Sequence, residues 1–99
     1  MKVDMNVPVK DMYGKDQSNM LGKEIAAAMF LYTKPVNVKK FYDWAVNLML
    51  GNVFTLDESD FNLMKEFLGS VESLPLLLKG QAEAILVKAK EDSEKKPTK

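Results

Sequence analysis

Three acidic residues stand close together near the middle of the chain, Asp57, Glu58 and Asp60. Clustered carboxylates can hold a hard cation or serve as general acid and base in a hydrolysis reaction. This segment lacks the alternating oxygen ligands and the central glycine of an EF-hand loop. A helix beginning here would use the same acids to cap its first turn and to oppose its dipole. We favour helix capping, and a small metal-dependent enzyme stays as an alternative.

Several residue types needed for common chemistry are missing from the chain. It has no histidine, no cysteine and no arginine, and 14 lysines balance 14 acids. Without imidazole, nucleophile–histidine catalysis is excluded, and without imidazole or thiolate a structural zinc site is close to excluded. Arginine is the preferred residue for bidentate phosphate and guanine contacts. The composition therefore predicts a protein that is not an enzyme and has no metal or cofactor. Nucleic acid is not an expected partner, although a nucleic-acid-associated regulator stays as a second alternative.

Two aromatic residues with polar atoms, Tyr42 and Trp44, are of the type that is enriched at protein interfaces. Four further aromatic residues are predicted to fill the core: Phe41, Phe54, Phe61 and Phe67. Charge is also unevenly spread: residues 1–42 carry a net charge of +3 and residues 43–78 a net charge of −5. An acidic face can steer a basic partner or orient self-association, although chance gives the same split. The candidate protein-binding residues are Tyr42, Trp44, Asp57, Glu58 and Asp60.

Hydrophobic periodicity predicts four helices, over about 20–33, 38–50, 57–68 and 74–90. Pro35 separates the first two, and Gly51 is placed to end the second in a left-handed conformation. In the first helix, small residues around Gly22 allow close approach of another element. In the last, Gly80 indicates a close helix contact or, alternatively, a hinge or binding notch.

Apolar and polar residues alternate over positions 2–9, which predicts an edge strand that ends near Pro8. Residues 11–15 form a predicted turn around Gly14, followed by a short return strand at about 15–17. Residues 53–56 form an extended piece that could pair with the N-terminal strand.

These elements predict an α+β fold, mostly α, with three to four helices around one core and an N-terminal β-strand or hairpin. Residues 1–90 are expected to form a single globular domain and residues 91–99 a disordered charged tail. The longest apolar run, residues 25–32, spans eight residues, far short of the roughly 20 that cross a membrane. We see no secretory signal either, so we expect no membrane partner and a cytoplasmic location.

Four stretches of the chain resemble small proteins of tailed bacteriophages and prophages: MKVDMNVPVKDMYGK, MLGKEIA, KFYDWAVNLMLGNVFTLDESDFNLMKEFL and LLLKGQAEAIL. The resemblance covers nearly the whole chain except the tail. It implies a bacterial host cell as the setting and assigns no functional residue. We therefore expect a non-enzymatic protein–protein interaction module of phage or prophage origin, acting as an assembly or accessory factor or as an inhibitor of a host protein. A homo-oligomer is a further expectation for a chain this small and apolar.

Overall fold

The computed structural model describes residues 1–35 and 37–94. Within these residues the chain forms four helices and four short strands. The helices are α1 (Leu21–Phe30), α2 (Val38–Leu50), α3 (Glu58–Ser70) and α4 (Leu76–Glu94). The strands are β1 (Lys2–Val3), β2 (Pro8–Lys10), β3 (Asp16–Met20) and β4 (Phe54–Thr55). The predicted α+β fold, mostly α, is confirmed. No helix of the described part is long and apolar enough to cross a membrane.

The first strand pairs with the segment that follows α2. β1 and β4 are antiparallel, with Val3 opposite Phe54. The pairing continues beyond the strands, because the Met1 amine donates to the Leu56 carbonyl at 2.9 Å and Leu56 N–H donates to the Met1 carbonyl at 2.8 Å. This confirms that residues 53–56 are extended and pair with the N-terminal strand. Val3 and Phe54 are both buried, so the pairing fixes the start of the chain to the core.

The alternating segment 2–9 is not one strand, contrary to the prediction. The Asp4 carboxylate accepts a hydrogen bond from Asn6 N–H at 2.9 Å, a local interaction that competes with strand pairing. The chain resumes as β2, which pairs antiparallel with β3 to form a hairpin. The predicted turn and return strand are confirmed in this hairpin, and Gly14 has a φ of 83°.

Helices α1 and α2 pack closely because Gly22 has no side chain. Its N–H donates to the Met5 carbonyl at 2.8 Å. A Cβ on Gly22 would lie 3.0 Å from the Met5 carbonyl oxygen and 3.1 Å from that of Leu48, near the end of α2. The predicted close approach at this glycine is therefore confirmed. The end of α2 meets the start of α1, so the two helices run antiparallel.

Most helix ends lie near their predicted positions. α2 matches its prediction: the Asn37 side chain accepts from Lys40 N–H, and Gly51 ends the helix with a φ of 77°. α4 extends four residues further than predicted, to Glu94, so residues 91–94 are helical rather than part of a disordered tail. Residues 95–99, the rest of that predicted tail, lie outside the described residues.

The core is built around aromatic rings from three parts of the chain. Phe67 of α3, only 1% exposed, packs edge-on against Phe41 of α2 and Tyr32 at centroid distances of 5.8 and 5.0 Å. Edge-to-face packing of this kind stabilises beyond the area buried. The five other aromatic residues that the sequence predicts to lie in the core or at an interface differ in their exposure. Tyr42 is exposed, and the buried ones are Phe41, Trp44, Phe54 and Phe61.

Candidate functional site

The three acidic residues at the start of α3 each have a partner within the chain. Asp57 is the N-cap, and its carboxylate accepts from Asp60 N–H at 2.7 Å. Glu58 lies 3.2 Å from the Lys90 amine, and Asp60 lies 2.6 Å from the Lys40 amine with its own side chain 14% exposed. Among residues 1–35 and 37–94, no three acidic side chains are placed to share a metal ion. The geometry agrees with helix capping, and each of the three carboxylates has a hydrogen-bond or ion-pair partner within the chain.

The ion pair between Lys40 and Asp60 joins α2 to α3. The hydrogen bond from Lys40 to Asp60 raises the pKa of this lysine. Partial desolvation lowers the same pKa, whereas the negative charges of Asp60 and Asp57 raise it. A lysine whose pKa is raised on folding stabilises the folded state below its ordinary pKa. That contribution is lost only as the pH rises through the raised value. The pair is therefore intact at neutral pH.

Replacing Asp57 by alanine is expected to lower the free energy of unfolding by about 1 kcal/mol, because the first turn of α3 loses its cap. Urea denaturation followed by circular dichroism measures this loss. The matched control is Asp57→Asn, which keeps a capping oxygen but removes the charge, and we expect it to stay close to wild type. Equal losses for the two variants would contradict the capping role and point to a need for the carboxylate itself.

Trp44 lies in the core rather than on the surface. Its side chain is 6% exposed, and its ring packs against Phe41 at a centroid distance of 5.3 Å. A side chain with so little exposed area has almost nothing to offer a partner in this conformation. We therefore leave Trp44 out of the candidate surface.

Tyr42, unlike Trp44, lies on the surface. It is 60% exposed, and its ring packs edge-on against Phe30 of α1 at a centroid distance of 6.0 Å. Phe30 is itself 44% exposed. These two packed aromatic rings form a raised apolar surface, the ridge, between α1 and α2.

The ridge continues along α2 as an apolar stripe. Residues four, four and three positions apart share one side of a helix, and α2 has apolar residues at this spacing from its first turn to its last. We call this surface the α1–α2 face. It consists of Phe30, Val38, Tyr42, Val46 and Met49. Val46 is half-buried, and the other four are exposed.

The α1–α2 face has an apolar centre and a charged edge. A depression of about 120 Å³ lies between the two helices, where Phe30, Val38 and Tyr42 contribute to its lining. On the solvent side, Lys39 and Asp43 form an exposed ion pair at 3.1 Å. An apolar centre with a polar rim is the usual anatomy of a protein–protein interface.

Of the five residues of the α1–α2 face, the sequence predicts only Tyr42 as a contact residue. The helical period of the second helix predicts Val38 and Met49 on its buried side, whereas both are exposed. The sequence of α2 nevertheless indicates an exposed apolar surface. The apolar arc of α2 is wider than the roughly 100° stripe that packing against one core requires, so part of it had to remain outside.

Comparisons of the chain with protein-family models, curated proteins and solved structures gave no match. The resemblance to phage and prophage proteins therefore stays a prediction, and the α1–α2 face is interpreted from its own geometry.

Proposed function

We propose that this chain is a non-enzymatic protein–protein interaction module that binds a partner protein through the α1–α2 face. The observation that carries the proposal is the apolar stripe across two helices, bordered by an ion pair, which the other described residues leave largely exposed. Contiguous exposed apolar surface on a small domain marks interaction sites more often than scattered apolar residues do. The most exposed of these side chains are Val38 and Tyr42, at 71% and 60%.

The shape of the face suits a partner helix with an apolar side. A helix laid along α2 would cover residues spaced by about one turn, as in helix-in-groove recognition. Tyr42 and Phe30 would form the centre of the contact, because aromatic residues dominate binding energy at the middle of interfaces. Lys39 and Asp43 would lie at the rim and influence orientation more than affinity.

The ion pairs at the start of α3 support a smaller role for the acidic residues than their sequence indicates. Lys40 and Lys90 lie against Asp60 and Glu58 and offset the negative charge of that helix end. We therefore give the apolar stripe the main part in binding. We propose that Glu58, which remains exposed, contributes at most to steering.

The biological role proposed with this function is that of a phage or prophage protein in a bacterial host cell. It would act as an assembly or accessory factor, or as an inhibitor of a host protein. The two roles differ in the origin of the partner, since an assembly factor binds a phage-encoded protein and an inhibitor binds a host-encoded one. Both need a binding surface and no catalytic residues.

The test combines site-specific crosslinking with measured affinity. A photoreactive phenylalanine analogue at Tyr42 is expected to crosslink to one defined protein from infected or lysogenic cells, while the same analogue at Tyr13 is not. Mass spectrometry identifies the captured protein, which is then purified. Calorimetry should show that Tyr42→Ala weakens its binding by about 30-fold, as for an interface residue worth about 2 kcal/mol.

Tyr13→Ala is the matched control for affinity, since Tyr13 is an exposed tyrosine outside the α1–α2 face. We expect its binding to match wild type when all proteins are compared at low micromolar concentration. Equal crosslinking from both positions, or unchanged affinity of Tyr42→Ala, would overturn the proposal.

A further inference from the structure

The strand β4 has backbone groups that point away from its only partner strand in the described part of the chain, β1. Met1 and Leu56 exchange two hydrogen bonds, and the next pair in the register is Lys2 and Thr55. In an antiparallel ladder, pairs that exchange both hydrogen bonds alternate with pairs whose N–H and C=O groups point outward. The N–H and C=O of Thr55 therefore point away from β1. The same alternation directs those of Val53, two residues earlier, to the same side.

These outward groups form an unpaired strand edge. Among residues 1–35 and 37–94, no other backbone group is hydrogen-bonded to the N–H or C=O of Val53 or Thr55. Both residues are exposed, Val53 at 54%. A row of unpaired N–H and C=O groups at the edge of a sheet is a template for one more strand. We call this row the β4 edge, and it consists of residues 53–55.

The other strands differ from β4 in having a cover, a proline or an irregular register. On β2, the Gln81 side-chain amide accepts from Lys10 N–H at 3.0 Å and donates to the Lys10 carbonyl at 2.7 Å. Pro8 of the same strand has no N–H to offer. The pairing of β2 with β3 shifts its register between Pro8 and Lys10, and α4 packs against β1. Such features keep a strand edge from pairing with another chain, and β4 has neither a proline nor a register shift.

The β4 edge is held in its extended conformation before any partner arrives. Phe54 and Leu56 are 9% and 1% exposed, so the alternate side chains of this segment are fixed in the core. The hydrogen bonds between Met1 and Leu56 hold its far end. A preorganised edge loses little conformational entropy when a strand pairs with it.

The side chains around the β4 edge define the chemistry of a matching strand. Val53 and Thr55 are both β-branched and exposed, and β-branched or aromatic residues opposite such side chains stabilise strand pairs. Two residues beyond Thr55, α3 begins with three acids, and two lysines lie against two of them, which leaves a net charge of 2 − 3 = −1. Asp57 is the acid without an ion-pair partner among the described residues. A basic residue is therefore favoured opposite Asp57.

We propose that the β4 edge binds an extended segment of a partner protein, which adds an antiparallel third strand to the β1–β4 pair. Its residues opposite Thr55 and Val53 are two positions apart, and each exchanges two backbone hydrogen bonds with β4. These two residues are β-branched or aromatic, and a lysine or arginine precedes them by two positions, opposite Asp57. In strand addition the backbone hydrogen bonds provide affinity and the alternate side chains provide specificity.

A titration with a short peptide tests the proposal. The probe is the acetylated and amidated peptide Lys-Ser-Val-Ser-Val, in which the valines would lie opposite Thr55 and Val53. Nuclear magnetic resonance spectra of the isotope-labelled protein should show saturable shifts of the amide signals of these two residues, with half-saturation near about 1 mM. The same peptide with both valines N-methylated lacks the two donors and should bind at least about fivefold more weakly. A peptide with glutamate in place of lysine should also bind more weakly.

Two variants of the protein test the same hydrogen bonds from the other side. Thr55→Pro removes one outward N–H and no hydrogen bond within the fold, as is tolerated on edge strands. Thr55→Val keeps the N–H and the β-branch and is the matched control. We expect Thr55→Pro to bind the peptide at least about fivefold more weakly and Thr55→Val to bind it like wild type. Circular dichroism verifies that both variants are folded, and the N-methylated peptide decides the question if Thr55→Pro is not.

Three results would overturn strand addition: no saturable shift at Val53 and Thr55 with about 5 mM peptide, equal binding of the N-methylated peptide, or wild-type binding by folded Thr55→Pro. Equal binding of the glutamate peptide would overturn the preference for a basic residue. Shifts confined to the α1–α2 face would place peptide binding there instead. The two surfaces share no residue, and Tyr42→Ala should bind the peptide like wild type. Failure here therefore leaves the proposed partner binding through the α1–α2 face untouched.

Discussion

Trp44→Ala is expected to lower the free energy of unfolding by about 3–5 kcal/mol, the usual cost of removing a large buried aromatic side chain. Trp44 is 6% exposed and packs against Phe41 of the aromatic core. The loss combines the apolar area no longer buried with a cavity that the surrounding helices cannot fully close. A domain of 99 residues has roughly 5–15 kcal/mol of stability in total, so this loss is a large share of it.

Guanidinium denaturation followed by circular dichroism at 222 nm measures this loss without relying on tryptophan fluorescence. The control is Tyr42→Ala on the same helix, which removes an exposed aromatic ring and should cost at most about 1 kcal/mol. Comparison of the two variants distinguishes a residue of the core from a residue of the contact surface. A loss below about 1 kcal/mol for Trp44→Ala would show that the indole is not packed in the core and would return it to the candidate surface.

Gly22→Val is expected to destabilise the fold by about 2–3 kcal/mol through overpacking. The first carbon of the new side chain would meet the Met5 and Leu48 carbonyl oxygens at 3.0 and 3.1 Å. Both are backbone atoms from different elements, so relief requires moving a whole segment rather than rotating a side chain. The displacement would also strain the hydrogen bond from Gly22 N–H to the Met5 carbonyl.

Gly80→Ala is the control, because we expect it to raise the stability of the fold whereas Gly22→Val lowers it. Gly80 lies inside α4, and an added Cβ meets nothing within 4 Å, so alanine should stabilise the helix by about 0.5–1 kcal/mol. The same observation shows that the predicted close helix contact at Gly80 is wrong. Thermal unfolding of both variants checks the contrast. A Gly22→Val protein as stable as wild type would mean that α1 and α2 can separate at no cost.

Local features of the sequence determined the four helices and several of their ends. Asn37, Gly51 and Asp57 act on backbone groups within four residues of themselves, so their capping roles follow from residue type and spacing. The turn around Gly14 is local for the same reason. The spacing of apolar residues likewise predicted the helices and the mostly α character, since the period of a helix is a property of the backbone.

The tertiary structure decided which part of each apolar pattern is buried and which charges meet. Tyr42 and Trp44 are two positions apart on α2, so the helical period turns them to opposite sides, and the packing of the whole fold decides that Trp44 is the buried one. Glu58 meets Lys90 from 32 positions away, and Gln81 holds Lys10 from 71 positions away. Such contacts depend on how the helices cross and on where the strands pair. Both are properties of the whole folded chain, because burial is set by the neighbours that an element meets rather than by its own residues.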